Sequence, residues 1–267
     1  MTMNEQQIGN QRLVIRVSRN SLSFSTTEDE EVKYEPYALN SSISIAANMR
    51  EALRTVEMLR QPYHRVLVMV DAPVLMVPAE EFDESAVDEQ YRHAFTRVEQ
   101  QVVMYTVLAD LNAVAVFAMS KDLRTVLTDA FASVRFVAAL TPLWNHLNKR
   151  SYTGQRGKLF AYFHEKHLDV CSFVQNRFRF CNSYEVSGAR DAIYYMLAVW
   201  KQLGLSADHD ELFLTGDIVE RDELKEELDQ FIKRIFIVNP VGEFNRASVA
   251  QIKGIPYDLV TLYVKGL

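Results

Sequence analysis

Three side chains of metal-ligating type lie close together in the sequence. His164, Glu165 and His167 carry suitable donor atoms, but they fall on a turn between two predicted strands, where we expect the side chains to diverge. No second cluster in the sequence completes a four-ligand site, so we predict no metal centre. Asp71 follows an apolar strand predicted at 65–70, at the strand end where α/β proteins often bind ligands. An ordinary turn is the simpler explanation of that acid.

The sequence lacks the residues of several other catalytic classes. It contains neither a Gly-x-Ser-x-Gly elbow nor a P-loop, and its first predicted strand has no carboxylate for a two-metal nuclease. Cys171 and Cys181 flank a hairpin turn predicted at Gln175-Asn176, so they could lie near each other in a sheet. Two cysteines form no disulfide framework, and we expect free thiols in a reducing compartment.

The composition is that of a globular protein. With 267 residues, 48% of them hydrophobic and 24% charged, the chain is long enough for one large domain or two small ones with a buried core. The net charge of −6 argues against a nucleic-acid partner. We expect a cytoplasmic protein with no membrane span, because no apolar run reaches about 18 residues and the first residues do not resemble a signal peptide.

One local basic face remains compatible with the negative net charge. The strand that contains Phe178 and Phe180 alternates aromatic and basic residues. Arginines that point to solvent from an ordinary strand are the simpler explanation. The basic residues in question are Arg156, Lys158, Lys166, Arg177 and Arg179.

The strongest pattern in the sequence is an order of elements that occurs twice. Three strands, a helix and a strand are predicted in the first half, and the same order is predicted again in the second half. Residue identities are not repeated, so the pattern alone indicates a duplicated fold. Corresponding elements begin at Leu13 and Leu159, at Ile45 and Gly188, and at Val66 and Glu211, which are 146, 143 and 145 residues apart.

The boundary between the two halves is predicted at a small, polar and basic stretch, SYTGQRG at 151–157. We therefore expect a first half over 1–150, with an extra strand pair and helices, and a second half over 151–243. A C-terminal segment over 244–267 is expected to pack back onto the first half. Its end, 256–264, reads as a strand that needs a partner strand.

Two further helices are predicted from periodicity and capping residues. Apolar residues at helical spacing predict an amphipathic helix over Arg221–Ile235. Thr141-Pro142 is expected to begin a short helix that ends at about His146. The polar residues 1–11 are expected to be frayed.

Several stretches of the sequence carry a family resemblance. They are Val77-Pro78 with Phe82-Asp83, Thr141-Pro142-Leu143, Arg190–Leu205 and Leu212–Asp217. They are similar to a domain-of-unknown-function family (family 3822) typical of Bacteroidetes. The repeated unit resembles the ribonuclease-H-like unit, and two such units in tandem resemble the actin-like ATPase fold of actin, Hsp70, sugar kinases and the pilus assembly protein PilM. The resemblance implies an α/β fold with mixed sheets flanked by helices, and no established activity.

The resemblance also implies where a nucleotide would bind. In active members a phosphate loop joins the first two strands of each half, with an Asp that holds Mg²⁺ and a Gly that lets backbone N–H groups approach the phosphates. The corresponding stretches here are Arg16–Ser21 and Tyr162–His167. Both lack the Asp and the Gly, and Glu165 is their one carboxylate. Two losses together argue against nucleotide hydrolysis.

The adenosine loop of the superfamily is also reduced. Consecutive glycines usually follow a strand of the second half, whereas Leu214–Ile218 contains a single glycine, Gly216. A turn with positive φ is the simpler explanation of that glycine. We therefore predict a catalytically inactive protein, without a cofactor, that serves protein–protein interaction or assembly with a protein partner. The alternative is a nucleotide-binding protein, a slow ATPase or kinase-like protein that uses ATP and Mg²⁺. Its degenerate cleft would contain Ser18, Asn20, His164, Glu165, Thr215, Gly216 and Asp217.

Overall fold

The structure is a computed structural model that describes residues 12–96, 98–152, 154–174 and 177–267. The turn predicted at Gln175-Asn176 and the fraying predicted for residues 1–11 lie outside the described residues. The chain divides into two compact units. The first unit comprises Met1–Val107 and Val114–Thr141, and the second comprises Leu108–Ala113 and Pro142–Leu267.

The described residues form strands and helices in alternation. The strands are β1 (Arg12–Val17), β2 (Leu22–Glu28), β3 (Glu31–Tyr37), β4 (Arg65–Val70), β5 (Leu75–Pro78), β6 (Gln101–Leu108), β7 (Ala113–Ser120), β8 (Val134–Ala138), β9 (Lys158–His164), β10 (His167–Val174), β11 (Arg177–Glu185), β12 (Glu211–Gly216) and β13 (Ile235–Ile237). The helices are α1 (Ile45–Thr55), α2 (Val87–Ala94), α3 (Lys121–Ala130), α4 (Thr141–Ser151), α5 (Ala189–Gln202), α6 (Arg221–Asp229), α7 (Pro240–Glu243) and α8 (Tyr257–Lys265).

Two five-stranded sheets share one topology. The order is β3-β2-β1-β4-β8 in the first unit and β11-β10-β9-β12-β13 in the second. In each sheet the first three strands form an antiparallel meander, and the last two run parallel to the strand that begins it. The predicted fold class, two tandem ribonuclease-H-like halves with mixed sheets and flanking helices, is confirmed.

The central strands of both sheets are apolar and buried. All of β9 and nearly all of β1 and β4 are inaccessible to solvent, as expected when both faces of a sheet are covered. One face of the second sheet packs against α5 and α6, which contribute apolar stripes at helical spacing. The core residues of this layer include Leu159, Ala161, Leu168, Val170, Met196, Leu214, Leu224 and Leu228.

A third, smaller sheet belongs to the extra elements predicted in the first half. Its order is β5-β7-β6, and α2 packs against one face through Tyr91 and the valines of β7. The hydroxyl of Tyr91 donates to the carbonyl of Pro73 over 2.8 Å. Burial raises the pKa of Tyr91 to about 12, so the phenol stays protonated and fixes the loop before β5.

Three predicted elements differ from the structure. The helix predicted over 221–235 ends at Asp229, because Ile235 begins β13 and pairs with Leu212 of β12. The short helix predicted to end at His146 continues to Ser151. The strand predicted over 256–264 is wrong, because this segment forms α8. Six consecutive residues of α8 are buried, and such a run reads ambiguously as strand or buried helix.

The compact units separate after Thr141, upstream of the linker-like stretch. Helix α4 therefore belongs almost wholly to the second unit, together with 244–267. The division into 1–150, 151–243 and 244–267 stays a prediction.

Candidate functional site

The carboxyl ends of β1 and β4 place a partly buried ion pair in the first unit. Val17 lies opposite Val70 in this parallel pair, and the N–H of Asp71 donates to the carbonyl of Val17 over 2.8 Å. The guanidinium of Arg16 is 1% exposed and donates to the Asp71 carboxylate, which is 17% exposed, over 3.0 Å. Asp71 is therefore more than a turn residue, because it neutralises a cation that is held inside the fold.

The loop that follows β1 is closed by its own hydrogen bonds. The hydroxyl oxygen of Ser18 accepts the N–H groups of Asn20 and Ser21 over 3.2 and 2.9 Å, and the Ser18 N–H donates to the Ser21 carbonyl over 3.0 Å. A phosphate cradle needs such N–H groups to converge on the ligand. An anion in this loop would first have to displace the Ser18 hydroxyl from two of them.

The second unit brings five of the predicted site residues to the carboxyl ends of its two central strands, β9 and β12. Gly216, at the end of β12, lies opposite Phe163 near the end of β9. The N–H of Asp217 donates to the Phe163 carbonyl over 2.9 Å. His164 and Glu165 follow Phe163 directly, so they lie at the same end of the sheet as Thr215, Gly216 and Asp217.

The same backbone hydrogen bond therefore occurs in both units. Its acceptors are residues 17 and 163 and its donors are residues 71 and 217. Both spacings equal the 146-residue offset found between the first strands of the two halves. The two acids after β4 and β12 are equivalent positions of the repeated topology.

Gly216 is required by the backbone that surrounds it. Its φ is +89°, and an added Cβ would lie 2.1 Å from the carbonyl oxygen of Phe163 and 2.9 Å from the ring of Tyr162. Contacts this short are not tolerated for any side chain. Packing alone therefore explains the glycine, whether or not a ligand approaches the loop.

A two-residue turn joins β9 to β10. Glu165 and Lys166 both have positive φ, 46° and 65°, as in the tight turns that match strand twist. The turn makes His164 and His167 direct cross-strand partners, and their rings lie 6.0 Å apart on one face. The prediction that these side chains diverge is therefore wrong. Among the described residues, no group of three or more His, Cys, Asp and Glu side chains could hold a metal ion.

His164 is bound to a residue that the sequence analysis did not single out. Its Nε2 is hydrogen bonded to the carboxylate of Asp169 on β10, and both side chains are buried. The ring of Tyr162 stacks on His164 with centroids 4.7 Å apart. Asp169 lies opposite Tyr162 in the sheet. Predicting the His164–Asp169 hydrogen bond would therefore have required the register of β9 against β10.

A half-buried cluster, which we name the Glu243 cluster, consists of Glu243, His146, Arg150 and Tyr257. The Glu243 carboxylate accepts hydrogen bonds from His146 Nε2 over 3.0 Å, from Arg150 Nη1 over 2.6 Å and from the Tyr257 hydroxyl. Burial by itself raises the pKa of Glu243, but the hydrogen bonds from His146 and Tyr257 and the charges of His146 and Arg150 outweigh it, so the pKa is lowered. The sequence could have indicated half of this cluster, because His146 and Arg150 are four residues apart and lie on one face of a helix.

A cleft of about 310 Å³ lies beside the Glu243 cluster, and its lining includes Lys149, Arg150 and Lys265. These cations belong to the last turns of α4 and α8. Basic side chains at those positions complement the partial negative charge of helix carboxyl ends. Helix stabilisation is therefore sufficient to explain the basic character of the cleft.

The five basic residues of the second half do not share one role. Lys158 is buried, donates to the Ser151 carbonyl over 3.2 Å, and has its pKa lowered by burial. Arg156 pairs with Glu211, and Arg179 donates to the Leu203 carbonyl. Lys158, Arg156 and Arg179 are thus committed to contacts within the fold.

The two cysteines lie opposite each other in the β10–β11 pair, as free thiols. Burial raises the pKa of Cys171 and of Cys181. Thiols with raised pKa values are poor nucleophiles at neutral pH, so the pair does not support covalent catalysis.

Comparison with known proteins shows which family this sequence belongs to. A family described as protein of unknown function (DUF3822) matches residues 1–235. The chain belongs to this family. No curated protein sequence matches it. None of the helices formed by the described residues is long and apolar enough to cross a bilayer.

Solved structures that are similar over nearly the whole chain include the following two. A protein from Bacteroides thetaiotaomicron VPI-5482, with an actin-like ATPase fold and unknown function, is 28% identical, covers 98% of this chain and 99% of its own, and gives a TM-score of 0.83. The PilM–PilN type IV pilus biogenesis complex is 15% identical, covers 96% and 98%, and gives a TM-score of 0.58. The resemblance to the DUF family and to the actin-like ATPase fold is confirmed.

Proposed function

We propose that the protein is a catalytically inactive member of the actin-like fold that acts by binding other proteins. The observation that carries this proposal is the closed loop after β1. Two of its N–H groups, from Asn20 and Ser21, are already bound to the Ser18 hydroxyl. A nucleotide phosphate has fewer backbone donors here than a phosphate loop requires.

The second unit supports the same proposal. The β9–β10 turn consists of two residues only, and the neighbouring His164 is bound to Asp169. The glycine expected at an adenosine site, Gly216, is required because the Phe163 carbonyl leaves no space for a Cβ. His164 and Gly216 are thus accounted for by contacts inside the second unit. The PilM structure, a complex with PilN, is an instance of this fold bound to another protein. A cytoplasmic location and a protein partner stay predictions.

The test is thermal unfolding with millimolar ATP and Mg²⁺, with ADP as a companion. A ligand present at 100 times its Kd stabilises the folded state by about 2.7 kcal/mol, which is easily measured as a rise in Tm. We expect no rise. Any reproducible rise would contradict the proposal and favour the nucleotide-binding alternative.

Asn20→Ala and Asp217→Asn are the matched variants, because both side chains are exposed. If nucleotide raises the Tm of the wild type but not that of these variants, the predicted cleft is a working site. Substitution of Gly216 is a poor control, because an added Cβ would collide with the Phe163 carbonyl irrespective of any ligand.

A further inference from the structure

The edge strands of the three sheets differ in how they are protected. An edge presents unpaired N–H and C=O groups, and proteins shield it with charges, proline or very short strands. Edge strand β3 contains three charged residues and a proline, and β11 contains arginine and glutamate. The remaining protected edges are short: β13 has three residues, β5 has four and ends in proline, and β8 has five with one arginine.

Strand β6 has none of these protections. It is the terminal strand of the third sheet and comprises eight residues, QVVMYTVL, without charge, proline or glycine. Val107 is 61% exposed, and Tyr105, whose hydroxyl donates to Glu84 and whose ring contacts Phe82, is 36% exposed. Hydrogen bonds from outside the sheet reach its backbone at Gln101. Among the described residues, none reaches the backbone of 102–107.

We propose that β6 pairs antiparallel with the β6 of a second copy of this chain. The third sheets of two copies would then join into one sheet of six strands. An antiparallel pair of identical strands is two-fold symmetric, so the strand must be complementary to itself. An uncharged strand meets this condition, because no like charges come to lie opposite each other.

The other long edges do not meet this condition. A β3 pair would bring its own Glu31, Lys33 and Glu35 to the junction, and a β11 pair would bring its arginines. The inference rests on the proposed role in protein assembly, but it does not depend on whether the chain binds nucleotide. A nucleotide-induced rise in Tm together with an intact dimer would contradict the inactive cleft alone.

The test is sedimentation velocity of the full chain over a wide concentration range. We expect a reversible dimer for the wild type. Met104→Lys places a charge at the middle of β6, and we expect the dimer Kd to rise by about tenfold or more, as charged edges oppose strand pairing. Met104→Gln has nearly the same length without the charge, so it should keep a Kd close to that of the wild type.

Hydrogen exchange on the wild-type chain gives a second measurement that needs no variant. The amides of 102–107 that point away from β7 should become protected as concentration rises, whereas those of β11 should not change. A monomer at all concentrations overturns the proposal, even if another protein is captured from an extract. A dimer that Met104→Lys leaves intact, or one without added protection at β6, overturns it equally.

Discussion

The carboxyl ends of the central strands are alike in backbone and different in side chains between the two units. In both, an aspartate N–H donates to a carbonyl near the end of the first strand. In the first unit the space around this bond is occupied by the Arg16–Asp71 pair. In the second unit it is occupied by the ring of Tyr162 against Gly216.

The shared backbone arrangement is therefore compatible with quite different side chains around it. A charged pair and an aromatic–glycine contact both fill the same position of the topology. Substitutions at the two ends should therefore differ in size and in their dependence on charge.

The largest effect is expected from Gly216→Ala. The added Cβ would collide with the Phe163 carbonyl at a residue with positive φ, so we expect a loss of about 3 kcal/mol in the free energy of unfolding. Gly204→Ala is the matched control, because Gly204 also has positive φ but has open space around it. It should lose about 1 kcal/mol. Urea unfolding measures both, and equal losses would mean that the close contact is unimportant.

An intermediate effect is expected from Arg16→Met. The change leaves the Asp71 charge without its guanidinium, and we expect a loss of about 2 kcal/mol, less than for a fully buried pair because Asp71 is partly exposed. Adding Asp71→Asn removes the carboxylate charge and should restore part of the loss. A double-mutant cycle by urea unfolding measures this coupling, and strictly additive losses would refute it.

The smallest effect is expected from Ser18→Ala. The N–H groups of Asn20 and Ser21 lose a part-buried acceptor, so we expect a loss of about 1 kcal/mol. Ser42→Ala, at an exposed serine of the same unit, should change the free energy of unfolding by less than about 0.5 kcal/mol. Indistinguishable values for the two variants would show that the Ser18 hydroxyl does not hold the loop closed.

The sequence predicted the topology well because the topology depends on local patterns. Apolar strands and helical stripes located the repeat, and its offset matches the equivalent acids after β4 and β12. The sequence did not predict the partners of the site residues. Glu243 meets a histidine 97 residues away and a tyrosine 14 residues away, and no local pattern encodes such contacts. The prediction that His164 and His167 diverge across a strand-to-strand turn is wrong, because a two-residue turn makes them cross-strand partners.

The Glu243 cluster has a consequence for anyone who shortens this chain. The family match ends at residue 235, the first residue of β13, so a recombinant fragment cut there would lack most of an edge strand. It would also lack the carboxylate that His146 and Arg150 bind and the carbonyl of Val238 that accepts from Thr215. The end of the family match at residue 235 is thus not the end of the second compact unit, which includes α8.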